Sequence, residues 1–220
     1  IFGYGGEPGP FLEVLEIYPY ELPENVTAIQ GETEEDIEFS IYLSIPVLPE
    51  NPGIDGVPLA ILFHAFNNPS RDSYTDWIER LVGKGMVVAY IQYPTDIRPE
   101  GGDDFDPNNI EGTSDWPHHV PRLHSISSAL NKLNIIIGDD TRGQEIDDVL
   151  GNLSIMPEHL YIGGHSLGGA YSISALQMVQ EFSWGSETSV VDTEMAASRP
   201  SQNLWQPNFT DLPEHTIIHL

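Results

Sequence analysis

The residues with the clearest chemical potential are Gly164-His165-Ser166-Leu167-Gly168-Gly169. A short apolar run, His159-Leu160-Tyr161-Ile162-Gly163, precedes them, and a segment containing Ala, Leu and Met at helical spacing follows. Strand, tight turn and helix in that order form the setting in which the serine of a Gly-x-Ser-x-Gly motif acts as a nucleophile. The serine backbone is strained in such a turn, so its flanking positions must carry almost no side chain. Gly164 and Gly168 meet that need, and Gly169 with Ala170 lets the following helix approach the strand closely. Ser166 is accordingly read as a nucleophile rather than as an incidental serine in a glycine-rich turn.

A serine oxygen attacking an ester needs two donors for the oxyanion that develops on the carbonyl oxygen. One is the backbone N–H of the residue after the serine, here Leu167, and the other comes from a loop after an earlier strand. His64-Ala65-Phe66-Asn67-Asn68-Pro69 directly follows the apolar run Leu59-Ala60-Ile61-Leu62-Phe63 and occupies that place, with Phe66 as the expected backbone donor. His64 is read as a structural histidine that holds the loop by hydrogen bonds, not as a proton-transfer group.

The elements that must position these groups alternate along the chain. Phe11–Tyr18 and Asp36–Ile45 alternate in polarity as strands do, the second strictly enough for a half-exposed antiparallel strand. Pro46–Pro58 is rich in turn residues. Leu59–Phe63 and Met86–Ile91 are continuously apolar, as expected of strands covered on both faces. Between them Pro69–Lys84 reads as a helix, with Ser70 or Ser73 as N-cap, a stripe of Trp77, Ile78, Leu81 and Val82, and Gly83 and Gly85 ending it. His118–Leu133 reads as a second helix, with Val120, Leu123, Ile126 and Leu130 on one face. The elbow helix is expected over about Gly168–Phe182, with further strands at Thr188–Glu194 and Thr216–Leu220. The pattern predicts a single α/β domain: a mostly parallel twisted sheet, helices on both faces and an antiparallel N-terminal edge.

On these residues the chain resembles the α/β-hydrolases, and more narrowly bacterial esterase- and lipase-like members with a His-Gly-Trp loop and a Tyr-x-x-Trp-Ile-x-x-Leu-Val helix. Tyr74-Thr75-Asp76-Trp77-Ile78-Glu79-Arg80-Leu81-Val82 is similar to that helix. Gly85-Met86-Val87-Val88-Ala89-Tyr90-Ile91-Gln92-Tyr93 is similar to the strand after it, and Gly164–Gly169 to the elbow; the likeness spans about residues 36 to 194. Ala65 stands where the family usually has Gly, and its methyl group constrains the second donor and narrows the acyl pocket. The resemblance implies a carboxylic ester hydrolase working through an acyl-enzyme on Ser166, with no cofactor. Substrates would be small esters, or lipid or polyester esters if Phe66 and aromatics such as Trp116 line an acyl or aryl pocket. It also implies an acid just past the seventh strand and a histidine past the eighth, positions that fall beyond Leu220. The expectation is therefore a chain that is incomplete at its C-terminus, lacking strand 8 and the last helix. A nonstandard triad from Asp192 or Asp211 with His215 or His219 is the alternative, and a non-catalytic binding protein that keeps the elbow by descent is the rival reading.

Composition narrows the partners. Asp and Glu total 34 against 8 Lys and Arg, a formal net charge of −26 over 220 residues. Such a surface repels phosphate backbones and anionic headgroups, which argues against nucleic-acid binding. It also predicts a salt-adapted protein that screening stabilises. With no cysteine, thiolate metal sites and thiol catalysis are excluded. No run approaches the roughly 20 apolar residues of a membrane span. The opening at Ile1 instead of Met suggests a removed signal peptide and export, with a cytoplasmic location as the alternative. Asp104-Phe105-Asp106-Pro107-Asn108 begins like a calcium loop. Its sixth position is Asn109 and its twelfth Asp115, however, so it reads as a solvated acidic loop. The spacing of His118, His119 and His124 fits no zinc helix, so no metal is expected there.

Overall fold

The computed structural model describes residues 9–22, 27–28, 39–50, 53–54, 56–66, 68–95, 97–98, 116–138, 143–151, 153–179 and 217–219. Its strands are β1 (Leu12–Tyr20), β2 (Thr27–Ala28), β3 (Phe39–Val47), β4 (Gly56–Phe63), β5 (Val87–Ile91), β6 (Ile97–Arg98), β7 (Ser154–Gly164) and β8 (Ile217–His219). The helices are α1 (Thr75–Val82), entered through a 3₁₀ turn at Arg71–Tyr74, then α2 (Trp116–Ile137), α3 (Gln144–Leu150) and α4 (Leu167–Val179). The main sheet runs β1-β3-β5-β4-β7-β8, while β2 and β6 form a separate antiparallel pair. β1, β3 and β5 pair antiparallel; β4 lies parallel to β5 and β7, and β7 parallel to β8. A mixed sheet with helices on both faces is the α/β arrangement expected.

The two faces separate cleanly by residue parity. Leu59, Ile61 and Phe63 of β4 and Val87, Ala89 and Ile91 of β5 share one apolar cluster with residues of α2, α3 and α4. The intervening Ala60, Leu62, Val88 and Tyr90 pack with Ile78, Leu81 and Val82 of α1 on the other face. Each large side chain fully buried this way contributes about 1.5–3 kcal/mol, so the central strands anchor the domain. Gly85, at φ 86, turns the chain from α1 into β5, and its N–H reaches the Val82 carbonyl at 2.8 Å.

Several elements differ from expectation. β3 is buried along almost its whole length, not half-exposed, because it lies between β1 and β5 with layers on both faces. Its polar positions are absorbed rather than solvated: Ser44 Oγ accepts from Arg71 Nη2 at 3.1 Å, and Arg71 pairs with Glu13 on β1. β4 starts at Gly56, inside the expected turn region. Neither predicted N-cap serine caps a helix: Ser70 makes no side-chain cap bond, and Ser73 Oγ donates to Asn68 Oδ1 at 2.9 Å. Only Thr75–Val82 of the predicted first helix is α-helical. α2 runs longer than expected, and Arg122, Ser125, Ser127 and Asn134 are buried beside its apolar residues, so more than one face is covered. α3 was not anticipated, and β7 starts five residues earlier than the predicted strand, with a register shift against β4 at Pro58/Leu59. β8, within the expected strand Thr216–Leu220, pairs parallel with β7, and the expected strand Thr188–Glu194 lies outside the described residues. The calcium-like loop and the acids Asp192 and Asp211 lie outside them too.

Candidate active site

β4 is the point at which the chain reverses direction across the sheet. The connection through α1 leads to β5 on one side of it, and the connection through α2 and α3 leads back to β7 on the other. The carboxyl ends of parallel strands at such a switch open a crevice in which α/β proteins bind ligands. Both halves of the predicted site emerge there. Phe63 of β4 is in register with Gly164 of β7, and the ladder continues one step further through His165 N–H to the Phe63 carbonyl at 3.1 Å.

Ser166 stands exposed at the turn with φ 55, the only non-glycine residue at positive φ among the described residues. For a side chain with a Cβ that conformation costs on the order of 1–3 kcal/mol and persists only where the surroundings impose it. Here the imposing contacts are backbone on backbone. A Cβ on Gly164 would lie 2.3 Å from the Gly168 carbonyl carbon and oxygen. One on Gly168 would lie 2.4 Å from the carbonyl oxygens of Phe63 and His64. Helix α4 therefore starts pressed against the ends of β4 and β7. Its first amide, that of Leu167, has no intrahelical acceptor by position. The Gly168 and Gly169 amides already bond the His165 and Ser166 carbonyls at 3.0 Å.

The loop after β4 is held differently. The Tyr93 backbone N–H donates to His64 Nε2 at 3.0 Å, which obliges Nδ1 to carry the proton and donate to the Ala65 carbonyl at 2.8 Å. The Tyr93 hydroxyl donates back to the His64 carbonyl at 2.7 Å, and the two rings stack at 4.0 Å and 12°. Burial lowers the His64 pKa to about 4, against the opposing pull of the bond to the Ala65 carbonyl, so the ring is neutral at pH 7. With both nitrogens engaged, His64 holds the loop, as read from the sequence. Next to it, Ala65 N–H donates to the Tyr74 hydroxyl at 2.8 Å and Asn68 N–H to the Ala65 carbonyl at 3.2 Å. Ala65 needs no positive φ, so a methyl group is tolerated where the family usually has Gly.

A cleft of about 570 Å³ opens on Ser166 and is lined by residues 72–77 together with Gly164, His165 and Ser166. Its aromatic walls are Tyr74 and Trp77, and Asp72 and Asp76 add carboxylates. Phe66, expected to line an acyl pocket, does not line this cleft. It is half exposed, and its ring lies 5.5 Å beneath the Arg122 guanidinium. The Trp116 side chain lies outside what is described. Tyr74, Tyr93 and Arg122 contact the loop from His64 to Phe66, and sequence reasoning missed them. Their only signal was that Tyr74 and Tyr93 fall within the two motifs similar to the family's helix and strand. Among the described residues no imidazole hydrogen-bonds Ser166 Oγ. His219 is placed only by its backbone, opposite Gly163, and His215 lies outside the described residues.

A scan against protein-family models gives no match, and neither does a comparison with curated protein sequences. The solved structures that the chain matches include esterases. A bacterial heroin esterase shares 17% identity with the chain at a TM-score of 0.44, over 81% of this chain and 41% of its own. Esterase B from Lactobacillus rhamnosis shares 16% at 0.42, over 74% and 43%. Carboxyl esterase 2 from the mycorrhizal fungus Tuber melanosporum shares 20% at 0.40, over 78% and 40%. The chain thus spans about two fifths of the length of each.

Proposed function

We propose that this chain carries the nucleophile and oxyanion half of a serine carboxylic ester hydrolase of the α/β-hydrolase kind. Ser166 Oγ attacks the ester carbonyl carbon and gives its proton to a general base. The alcohol then leaves, and water hydrolyses the acyl-enzyme. The Leu167 and Phe66 amides receive the oxyanion; losing one such donor typically costs about 10² to 10³ in rate.

The observation that carries this reading is the positive φ of Ser166 at a strand–turn–helix junction, beside a loop whose neighbouring amides are already engaged. Backbone strain at an exposed serine is expensive and otherwise unexplained. The test is fluorophosphonate labelling of the full-length protein together with hydrolysis of short p-nitrophenyl esters. Labelling at Ser166 with turnover supports the proposal, and an unlabelled, inert protein would favour a binding role. Small esters that fit the Tyr74–Trp77 cleft are the expected substrates, with lipid and polyester esters as further candidates. The −26 formal charge supports salt adaptation, in which NaCl raises Tm by screening self-repulsion. A Tm that stays flat or falls with NaCl would remove that part.

A further inference from the structure

Behind the Phe66 loop lies a cation that no step of ester hydrolysis yet uses. Arg122, on α2, is 8% exposed, and among the described residues its guanidinium pairs with no carboxylate. Its Nη2 donates to the Thr95 carbonyl, it lies near the Tyr171 hydroxyl on α4, and among the described residues its Nε has no partner. The guanidinium carbon sits 5.5 Å from the centroid of the Phe66 ring. A buried charge with no carboxylate beside it among the described residues is costly, and replacing it with an apolar side chain would ordinarily stabilise a core. The fold instead ties this charge to the segment after β5, to the elbow helix and to the oxyanion loop at once. An aromatic face attracts a cation through its quadrupole, so the contact restrains the Phe66 side chain and with it the Phe66 amide.

On the esterase reading of Ser166, we infer that Arg122 is a positioning residue for the oxyanion: its guanidinium, anchored on the Thr95 carbonyl, holds the Phe66 ring and so fixes the Phe66 amide. The residue touches no substrate and acts through Phe66.

The experiment measures kcat and KM for a neutral ester in the full-length protein, normalised to sites titrated by fluorophosphonate. Arg122→Met is expected to lower kcat per titrated site by about 100-fold, the scale of a lost oxyanion donor. KM should move by less than about threefold, because the interaction belongs to the transition state. Arg122→Lys keeps the charge and should recover part of the loss. Phe66→Ala, at an exposed ring, should fold normally and cost about fivefold in kcat. It should cost nothing further in the Arg122→Met background. A merely structural arginine would lower Tm but leave kcat per titrated site within about twofold of the parent, and that result overturns the inference. If Arg122→Met does not fold, parent-like kcat in both Arg122→Lys and Phe66→Ala overturns it equally. A parent protein that is neither labelled nor active refutes the esterase reading, and this inference falls with it; an active parent with an unaffected Arg122→Met refutes the inference alone.

Discussion

At the elbow, the position of Ser166 is enforced by main chain against main chain: φ 55 at the serine, and two glycines with no room for a methyl group. Across the same crevice, the loop from His64 to Phe66 contains no residue at positive φ, and its shape comes from side chains far away in sequence. Tyr93, 29 residues on, bonds both the ring and the carbonyl of His64, and Tyr74 holds Ala65. One half of the site is thus a local backbone device that a short motif can encode. The other is a tertiary assembly whose parts mean little until the sheet brings them together.

That contrast is open to attack in several ways. The largest effect is expected at the proposed nucleophile: Ser166→Ala should lower ester turnover by at least about 10⁴, as removal of a serine nucleophile does elsewhere. Its folding stability should be unchanged, because alanine inherits the same strained φ. Ser166→Gly should be equally inactive yet more stable, by about 1 kcal/mol, because glycine adopts that φ freely. A Ser166→Gly variant no more stable in urea than Ser166→Ala would show that the backbone strain is not real.

Next come the flanking glycines. Gly164→Ala and Gly168→Ala each drive a methyl group into carbonyl atoms at 2.3–2.4 Å. Each should destabilise by about 3 kcal/mol, since backbone on both sides cannot yield as a side chain would. If either variant unfolds at the parental urea midpoint, the elbow is not built by close approach.

The loop should respond to pH instead. His64 titrates near 4 when folded and near 6.5 when unfolded. The unfolded chain takes up the proton first, so stabilisation from the neutral ring is complete above pH 6.5 and is lost as the pH falls toward 4. The integrated loss is roughly 3 kcal/mol. Subtracting the urea-unfolding profile of His64→Asn from that of the parent isolates it, and a difference independent of pH between 7 and 4 would contradict a neutral, buried ring. The smallest effect belongs to Tyr93→Phe, which keeps the backbone N–H bond to His64 and loses only the hydroxyl bond to its carbonyl. About 1 kcal/mol is expected by chemical denaturation. A loss as large as that of His64→Asn would mean that the hydroxyl, not the imidazole, holds the loop.

The same contrast explains what could be read in advance. The apolar runs of β4 and β5, the elbow and the place of the His64 loop all follow from short-range patterns, because two-sided burial and a strained turn each dictate residue types over a few positions. β3 misled for a physical reason: Ser40 and Ser44 alternate with Ile41, Leu43 and Ile45 like a solvent-facing edge. Yet both serines are buried, and Arg71 answers Ser44 with a hydrogen bond. α3 was missed because only seven residues, Gln144–Leu150, make it, and their packing depends on tertiary contact more than on pattern.

What the sequence determined by itself was the identity of the strained serine, the glycines that permit it and the strand-to-loop spacing opposite, since each is a constraint between near neighbours. Only the tertiary structure decided that the His64 ring is neutral, that Tyr93 holds it while Tyr74 holds Ala65, and that Arg122 lies buried over Phe66. Those properties depend on which groups meet across strands and helices, and hydrogen bonding and desolvation act over a few ångströms of space whatever the separation along the chain.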